Sequence, residues 1–264
     1  MLTRGQIDHF YTFGFIVLPQ LLSPDEIAIM KRESIEIFDE ARNGMPFDGK
    51  QRQMVQPFFE WRPFLSSLVE DDRIYGIGES LLGPDFFLMS TQGDIHVGDT
   101  QWHGADLDSE PPHQLFAQQS VKVAFYLDPL DKETGCLRVI PGSHRRPFSE
   151  HLQVLKGSHN EMPFGVSGPE MPSVALESRP GDVIVFTESL FHGAFGGEAG
   201  RYQHAINFMA PPVTEEQEAW LRRLYEGWTY ALHPAETFVN SDRPRIRRLV
   251  SRLMDMGFET FKRP

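Results

Sequence analysis

The pattern that most restricts the fold is a series of short apolar segments that begins near residue 86. Each segment has a length typical of a β-strand, and turn residues separate each one from the next. The segments include FFLMS, SVKVAFYL, DVIVF and QHAINFMA, and the separators include DKETG, RPGD and GGEAG. Many short strands at such spacing predict a sandwich or barrel of antiparallel strands.

Helix signals lie on both sides of this β region. Ser23 followed by Pro24 is typical of a helix start, because the hydroxyl caps free N–H groups and proline has no N–H to satisfy there. A second helix is predicted over about 63–82, and Thr214 with Gln217 predicts a capping box for a third. We expect a mainly β fold with flanking helices in one domain over 1–264: a helical front over about 1–85, a β core over about 86–212 and C-terminal helices over about 214–256.

Charge and cysteine content restrict the partners. The chain has 37 acidic and 25 basic side chains, a formal net charge of -12, which disfavours binding to a nucleic-acid polymer. The single Cys136 fits a reducing compartment. No apolar run is long enough to cross a bilayer. The first ten residues, MLTRGQIDHF, lack the basic and then apolar pattern of a secretory signal. We predict a soluble cytoplasmic protein that acts on a small molecule, and the oligomeric state stays open.

Two of the ten histidines stand out by context. His103 ends a predicted strand directly after Trp102, and His192 follows the strand segment DVIVF at the start of HGAFGG. Neutral imidazoles suit a divalent metal such as Fe(II). These features alone also fit two unrelated structural histidines, since the residues are far apart in the chain.

The order of several segments resembles the phytanoyl-CoA dioxygenase family. These segments are WH, then SVKVAFYLDPLDKETGCLRVIPGSHR, then RPGDVIVFTESLFHGAFGG followed by Arg201, and the resemblance covers about residues 8–212. It implies a double-stranded β-helix, a form of jelly roll, and a reaction that uses Fe(II), 2-oxoglutarate and O2. It also implies that His103 and His192 bind iron and that Arg201 holds the distal carboxylate of 2-oxoglutarate, for which a planar guanidinium is well shaped. Lys122 is a weaker candidate for a cofactor contact.

The third iron ligand of that family is an Asp or Glu two residues after the first histidine. In this chain the position holds Ala105, which cannot bind a metal. Asp106 and Asp108 follow, and both lie on the opposite face while the chain stays extended, although a bend at Gly104 would change that. A two-histidine site with alanine here resembles the non-haem iron halogenases of the same superfamily, in which chloride occupies the position of the carboxylate.

Three interpretations therefore stay open. The first is an Fe(II)- and 2-oxoglutarate-dependent halogenase with chloride over Ala105. The second is a hydroxylase in which Asp106 or Asp108 is the third ligand. The third is a jelly roll without iron that binds a ligand or a partner, because a fold does not determine a function.

Substrate contacts are expected in two stretches of the chain. The first contains Arg52, Phe58 and Trp61, since aromatic rings can stack on a planar base and arginine can hold a phosphate. The second is EPPHQLF, with His113 and Phe116. The resemblance to the halogenases implies a small biosynthetic metabolite as substrate. The arginine and the aromatic residues make a nucleotide such as a deoxyadenosine phosphate the first specific candidate, and amino acids are an alternative.

Overall fold

The strands form two antiparallel sheets. The computed structural model describes residues 1–104, 120–157, 163–227 and 233–262. The strands in these ranges are β1 (Phe15–Leu18), β2 (Gln53–Val55), β3 (Phe87–His96), β4 (Thr100–His103), β5 (Ser120–Tyr126), β6 (Leu137–Val139), β7 (Val174–Leu176), β8 (Val183–Phe186), β9 (His192–Ala194) and β10 (Arg201–Met209). The larger sheet has the order β1-β8-β5-β10-β3-β2, and the smaller sheet has the order β4-β9-β6-β7.

The path of the chain between the sheets is that of a jelly roll. Strands β3, β5, β8 and β10 belong to the larger sheet, whereas β4, β6, β7 and β9 belong to the smaller one, so the chain crosses repeatedly from one sheet to the other. The predicted fold class, a double-stranded β-helix with flanking helices, is confirmed. The region expected to be a helical front also contributes β1 and β2, which form the two edges of the larger sheet.

Helices flank the sheets. They are α1 (Arg4–Phe13), α2 (Pro24–Ala41), α3 (Pro63–Leu68), α4 (Asp72–Leu82), α5 (Phe148–Gly157), α6 (Glu215–Gly227), α7 (Glu236–Val239) and α8 (Pro244–Asp255). Ser23 forms the expected capping box at the start of α2. The single helix expected over 63–82 is instead two, because the Asp71 side chain accepts the Arg73 N–H at 2.9 Å and caps a new helix. Within the described ranges, no helix combines the length and apolar character needed to cross a bilayer.

Alternate side chains of the larger sheet point to opposite sides. On β5, Val121, Val123 and Phe125 belong to the apolar core, which also contains Ile37 and Phe38 of α2. Lys122 and Tyr126 lie at the alternate positions of the strand, and both line a cavity instead. Because side chains alternate along a strand, one face of this sheet is buried against helices and the other is left to carry polar groups.

A carboxyl group is buried on the helix-covered side of the larger sheet. Glu60 is 8% exposed, and its side chain accepts a hydrogen bond from the Thr91 hydroxyl. The same Thr91 oxygen accepts the backbone N–H of Phe58 at 2.9 Å and of Phe59 at 3.2 Å. Burial raises the pKa of Glu60 to about 7, because the ionised carboxylate is poorly solvated there.

Glu60→Gln should keep its stability at neutral pH better than wild type does. The folded-state pKa lies above the ordinary value of 4.5, so this residue's stabilising contribution is complete below pH 4.5 and is lost as the pH rises through about 7. As the pH rises from below 4.5 to above 7, wild type should lose about 3 kcal/mol of unfolding free energy that Glu60→Gln does not lose, because glutamine does not ionise. Denaturant unfolding at a series of pH values measures this gain.

Comparing the variant with wild type separates the effect of Glu60 from that of His204, a second buried titratable group. Burial lowers the pKa of His204 to about 4, so its contribution changes in the opposite direction, but it is the same in both proteins. Glu216→Gln, at an exposed position of α6, is the matched control. A stability difference between Glu60→Gln and wild type that stays constant with pH would contradict the assignment.

Candidate active site

His103 and His192 lie side by side although they are far apart in the chain. They are direct partners in the antiparallel pairing of β4 with β9. Their ring centroids are 4.0 Å apart. The smaller sheet therefore brings together the two histidines that the sequence analysis selected.

Both imidazole rings are oriented by the same kind of hydrogen bond. His103 Nδ1 donates to the backbone carbonyl of Gln101 at 2.8 Å, and His192 Nδ1 donates to that of Leu190 at 2.7 Å. A carbonyl oxygen only accepts, so the proton is on Nδ1 in each ring and the Nε2 lone pair is available. This arrangement is typical of metal-binding histidines, whose second ring nitrogen is held by a carbonyl or carboxylate.

Desolvation disfavours the protonated form of both rings. It lowers the pKa of His103, and burial together with the neighbouring His103 ring lowers the pKa of His192 well below its usual value. Phe186 adds to this environment, with its ring 4.9 Å from that of His192. Because metals bind the unprotonated imidazole, this environment favours the binding of a metal by Nε2 of each ring.

The segment that decides the third ligand lies outside the described residues. Ala105, Asp106 and Asp108 all belong to it. In the part of the chain that the structure describes, no third His, Cys, Asp or Glu joins the two histidines in a group that would hold a metal. The donor set of two neutral, oriented imidazoles fits Fe(II), and the choice between an open position and a shifted carboxylate stays a prediction.

A cavity extends from the histidine pair along the inner face of the larger sheet. Its volume is about 590 Å³ with the mouth included. Besides the histidines it is lined by side chains from several strands and loops, including Arg52, Gln92, His96, Lys122, Tyr126, Phe186, Arg201 and Gln203. The two histidines and these side chains therefore face one shared space.

Arg201 is a cation held by backbone carbonyls. Its Nε donates to the carbonyl of Glu198 at 3.1 Å, Nη1 to that of Gly135 at 2.8 Å, and Nη2 to that of Gly98. Its side chain forms no ion pair with a carboxylate of the described ranges; the nearby Asp99 carboxylate accepts the Gly196 N–H at 2.8 Å. A half-buried charge with no paired carboxylate among the described residues favours an anionic ligand.

Two glycines make room for that guanidinium. A methyl group at Gly135 or at Gly197 would overlap the Arg201 side chain. The sequence analysis missed these residues, although their positions in ETGC and in GGEAG are the only signal that the sequence offers for them. Absence of a side chain at both positions therefore determines where the guanidinium lies.

The other predicted cations of the cavity have acidic partners. Arg52 lies in the cavity as expected and forms an ion pair with the fully buried Asp94 at 2.8 Å. Gln92 donates to the same carboxylate at 2.9 Å. Lys122 also lies in the cavity and pairs with Glu188 at 3.3 Å. Both acids were missed in the sequence, because only the folded chain places them beside these cations.

Two predicted substrate contacts lie elsewhere in the molecule. Phe58 is fully buried in the apolar core, where its ring is 4.7 Å from that of His204. Trp61 lies on the same outer side of the sheet, and its Nε1 donates to the carbonyl of Pro57 at 2.7 Å. Neither side chain lines the cavity beside the histidines, because both pack with the apolar core on the helix-covered side of the larger sheet. His113 and Phe116 lie outside the described residues.

Comparison with known proteins assigns the chain to a family. The family model of phytanoyl-CoA dioxygenase matches residues 10–202, and the chain belongs to this family. The peroxisomal phytanoyl-CoA dioxygenase of Mus musculus is 30% identical over 233 residues, which cover 78% of this chain and 68% of that protein. The ectoine dioxygenase of Sphingopyxis alaskensis is 25% identical over 209 residues, which cover 69% of this chain and 67% of that protein.

A solved structure shares the fold. HygX from Streptomyces hygroscopicus, with nickel and 2-oxoglutarate bound, has a TM-score of 0.65 at 22% identity and covers 81% of this chain and 90% of its own. Fold and family together define the class as the non-haem iron, 2-oxoglutarate-dependent oxygenases.

Filling the space at Gly197 should weaken 2-oxoglutarate binding without unfolding the protein. A methyl group there overlaps the movable end of Arg201, so Gly197→Ala should displace the guanidinium rather than the backbone. We expect the Kd for 2-oxoglutarate to rise about tenfold, the cost of a weakened charge-assisted hydrogen bond. Anaerobic titration of 2-oxoglutarate into the Fe(II)-loaded protein measures it.

Gly5→Ala is the control for this variant, since the added methyl group meets no atom within 4 Å. Thermal unfolding of both variants checks that the fold is kept. An unchanged Kd in Gly197→Ala would remove Arg201 from the 2-oxoglutarate site.

Proposed function

We propose that the protein is an Fe(II)- and 2-oxoglutarate-dependent halogenase that uses O2 and chloride to chlorinate an unactivated C–H of a small biosynthetic metabolite. The observation that carries this proposal is Ala105, two residues after His103, in a chain that keeps both histidines and Arg201. A member of this family that had lost its metal would have no physical reason to keep two oriented imidazoles and, in the same cavity, an arginine that pairs with no carboxylate of the described ranges.

The described residues have distinct parts in this proposal. His103 and His192 hold the metal through Nε2, while the carbonyls of Gln101 and Leu190 fix their rings. Arg201 holds the distal carboxylate of 2-oxoglutarate in the space that Gly135 and Gly197 leave open. Iron, 2-oxoglutarate and O2 together supply the oxidising chemistry that breaks the C–H bond.

Charge balance supports chloride as a ligand. An Asp or Glu at position 105 would bring one negative charge to the metal, and alanine brings none. A chloride ion restores that charge and fits an open coordination position. A bound chloride thus compensates for the charge of the missing carboxylate.

A hydroxylase is the second candidate function. Two observations favour it: the curated relatives named above are dioxygenases, and Asp106 and Asp108 lie close to the position of the missing ligand in sequence. A bend at Gly104 would bring one of them to the metal. An iron-free binding protein is the third candidate, and the oriented Nε2 lone pairs argue against it.

The proposed substrate is a small metabolite that carries an anionic or strongly polar group. Arg52 supports a polar group, because its side chain lines the cavity and stays 41% exposed while it pairs with Asp94. The placement of Phe58 and Trp61 removes the argument from aromatic stacking. A deoxyadenosine phosphate remains the first compound to assay, compared with the unphosphorylated nucleoside, because that pair separates recognition of the phosphate from recognition of the base.

The decisive experiment is an anaerobic absorption titration with Fe(II) and 2-oxoglutarate, with and without chloride. A charge-transfer band supports the two-histidine iron site, and a shift of that band with chloride supports the halogenase. A band that does not respond to chloride favours the hydroxylase. Absence of the band would leave only the iron-free candidate.

Ala105→Asp should convert the proposed site into one that no longer binds chloride. The new carboxylate occupies the position of the halide, so the charge-transfer band should persist and its response to chloride should disappear. Chlorinated product should be lost as well. Asp106→Asn and Asp108→Asn are the matched controls and should keep the wild-type response. Normal chlorination by Ala105→Asp would contradict the proposed arrangement.

A further inference from the structure

The cavity beside the histidine pair is lined by positive side chains without acidic ones. Arg52, Lys122 and Arg201 all line it, and the described residues of its wall include neither an aspartate nor a glutamate. The protein as a whole has the opposite sign, with a formal net charge of -12. A concave wall that carries cations and no carboxylates favours anionic ligands.

The three cations differ in how much of each is left for a ligand. Arg201 uses all three of its nitrogens on backbone carbonyls. Lys122 pairs with Glu188, and its side chain is only 15% exposed. The Arg52 side chain stays 41% exposed although it also forms an ion pair. Arg52 is therefore far more accessible than Lys122 to a molecule that enters the cavity.

Asp94 holds one edge of the Arg52 guanidinium. Its Oδ1 lies 2.8 Å from both Nε and Nη2 of Arg52, and its Oδ2 accepts Nε2 of Gln92 at 2.9 Å. The Asp94 side chain is fully buried, on a strand that pairs with β2 on one side and with β10 on the other. Since this carboxylate belongs to an inner strand and is closed off from solvent, it fixes where the guanidinium lies.

The opposite edge of the guanidinium is unused. Arginine has five N–H donors in a planar fork, and Nε with one N–H of Nη2 faces Asp94. The edge formed by Nη1 and the outer N–H of Nη2 is left, and none of the described residues accepts a hydrogen bond from Nη1 of Arg52. Two parallel N–H groups of this kind match the two oxygens of a carboxylate or a phosphate.

We propose that this free edge of Arg52 binds an anionic group of the substrate, a carboxylate or a phosphate, while Asp94 holds the guanidinium in place for it. The inference rests on the proposed function for the statement that the cavity receives the substrate, and it holds equally for chlorination and for hydroxylation. Arg52 is then a specificity-determining residue and Asp94 a positioning residue. Arg201 remains for 2-oxoglutarate, so the two anions bind at separate cations.

The test measures the binding of methyl phosphate and of acetate to the protein loaded with Fe(II) and saturating 2-oxoglutarate, by anaerobic isothermal titration calorimetry. Saturation with 2-oxoglutarate keeps Arg201 occupied. Wild type should bind at least one of the two anions, and its preference identifies the group on the substrate. Arg52→Lys should raise the Kd for that anion about tenfold, because lysine keeps a charge beside Asp94 but lacks the planar edge.

Matched variants control for charge and for folding. The double variant Arg52→Gln/Asp94→Asn leaves no buried charge unpaired, so it tests the loss of the guanidinium even where a single variant unfolds. Its Kd for the anion should rise at least as much as that of Arg52→Lys. Arg4→Lys and Arg4→Gln/Asp8→Asn make the same changes in an exposed ion pair and should bind the anion as wild type does. Thermal unfolding of all four checks that the fold is kept.

The outcomes that contradict the inference differ from those that contradict the proposed function. A Kd that stays unchanged in Arg52→Lys and in the double variant would overturn the inference, and so would a wild type that binds neither anion. An anion that shifts the charge-transfer band binds at the metal, and one that 2-oxoglutarate displaces binds at Arg201; either result also overturns it. In all these cases the charge-transfer band itself persists, and the proposed function stands. Absence of that band in wild type contradicts the proposed function instead, whatever the anions do.

Discussion

The antiparallel pairing of β4 with β9 is the constraint on which the site depends. It makes His103 and His192 direct partners, and their ring centroids are 4.0 Å apart. The strands approach closely because Gly193 has no side chain; a methyl group there would crowd Phe195 and the Thr100 carbonyl. Trp102, held through Nε1 by the Gly168 carbonyl at 2.8 Å, fixes the strand that carries the first histidine. A small sheet thus sets the positions of two groups far apart in sequence.

The three positive side chains that line the described cavity have different partners. Arg52 pairs with a fully buried carboxylate, and Lys122 with a shielded one. Arg201 is surrounded by carbonyl oxygens, which satisfy its N–H groups and leave its charge in place. Because burial of an unbalanced charge is costly, the carbonyl-bound arginine is the position where an incoming dianion gains most.

Much of the site was predictable because its residues follow recognisable strands. The jelly roll is confirmed, and the resemblance in the order of segments selected His103, His192 and Arg201, which the structure places around one cavity. The errors concern residues whose side of the sheet depends on pairing register. Phe58 packs against Gly93 of β3 on the helix side, and a sequence does not reveal which face a neighbouring strand presents to a loop. Asp94 and Glu188 were missed for the same reason, since their partners are remote in sequence.

The surroundings of Arg201 link ligand binding to the assembly of the whole β core. The three carbonyls that hold it come from Gly98, Gly135 and Glu198, which precede or follow different strands of the two sheets. A chain in which any of these segments is undocked has the arginine but not its orientation. A ligand that binds only the oriented guanidinium therefore binds only the folded state, and by mass action it raises the stability of the entire sandwich. The cellular level of that ligand then becomes a determinant of how long the protein survives.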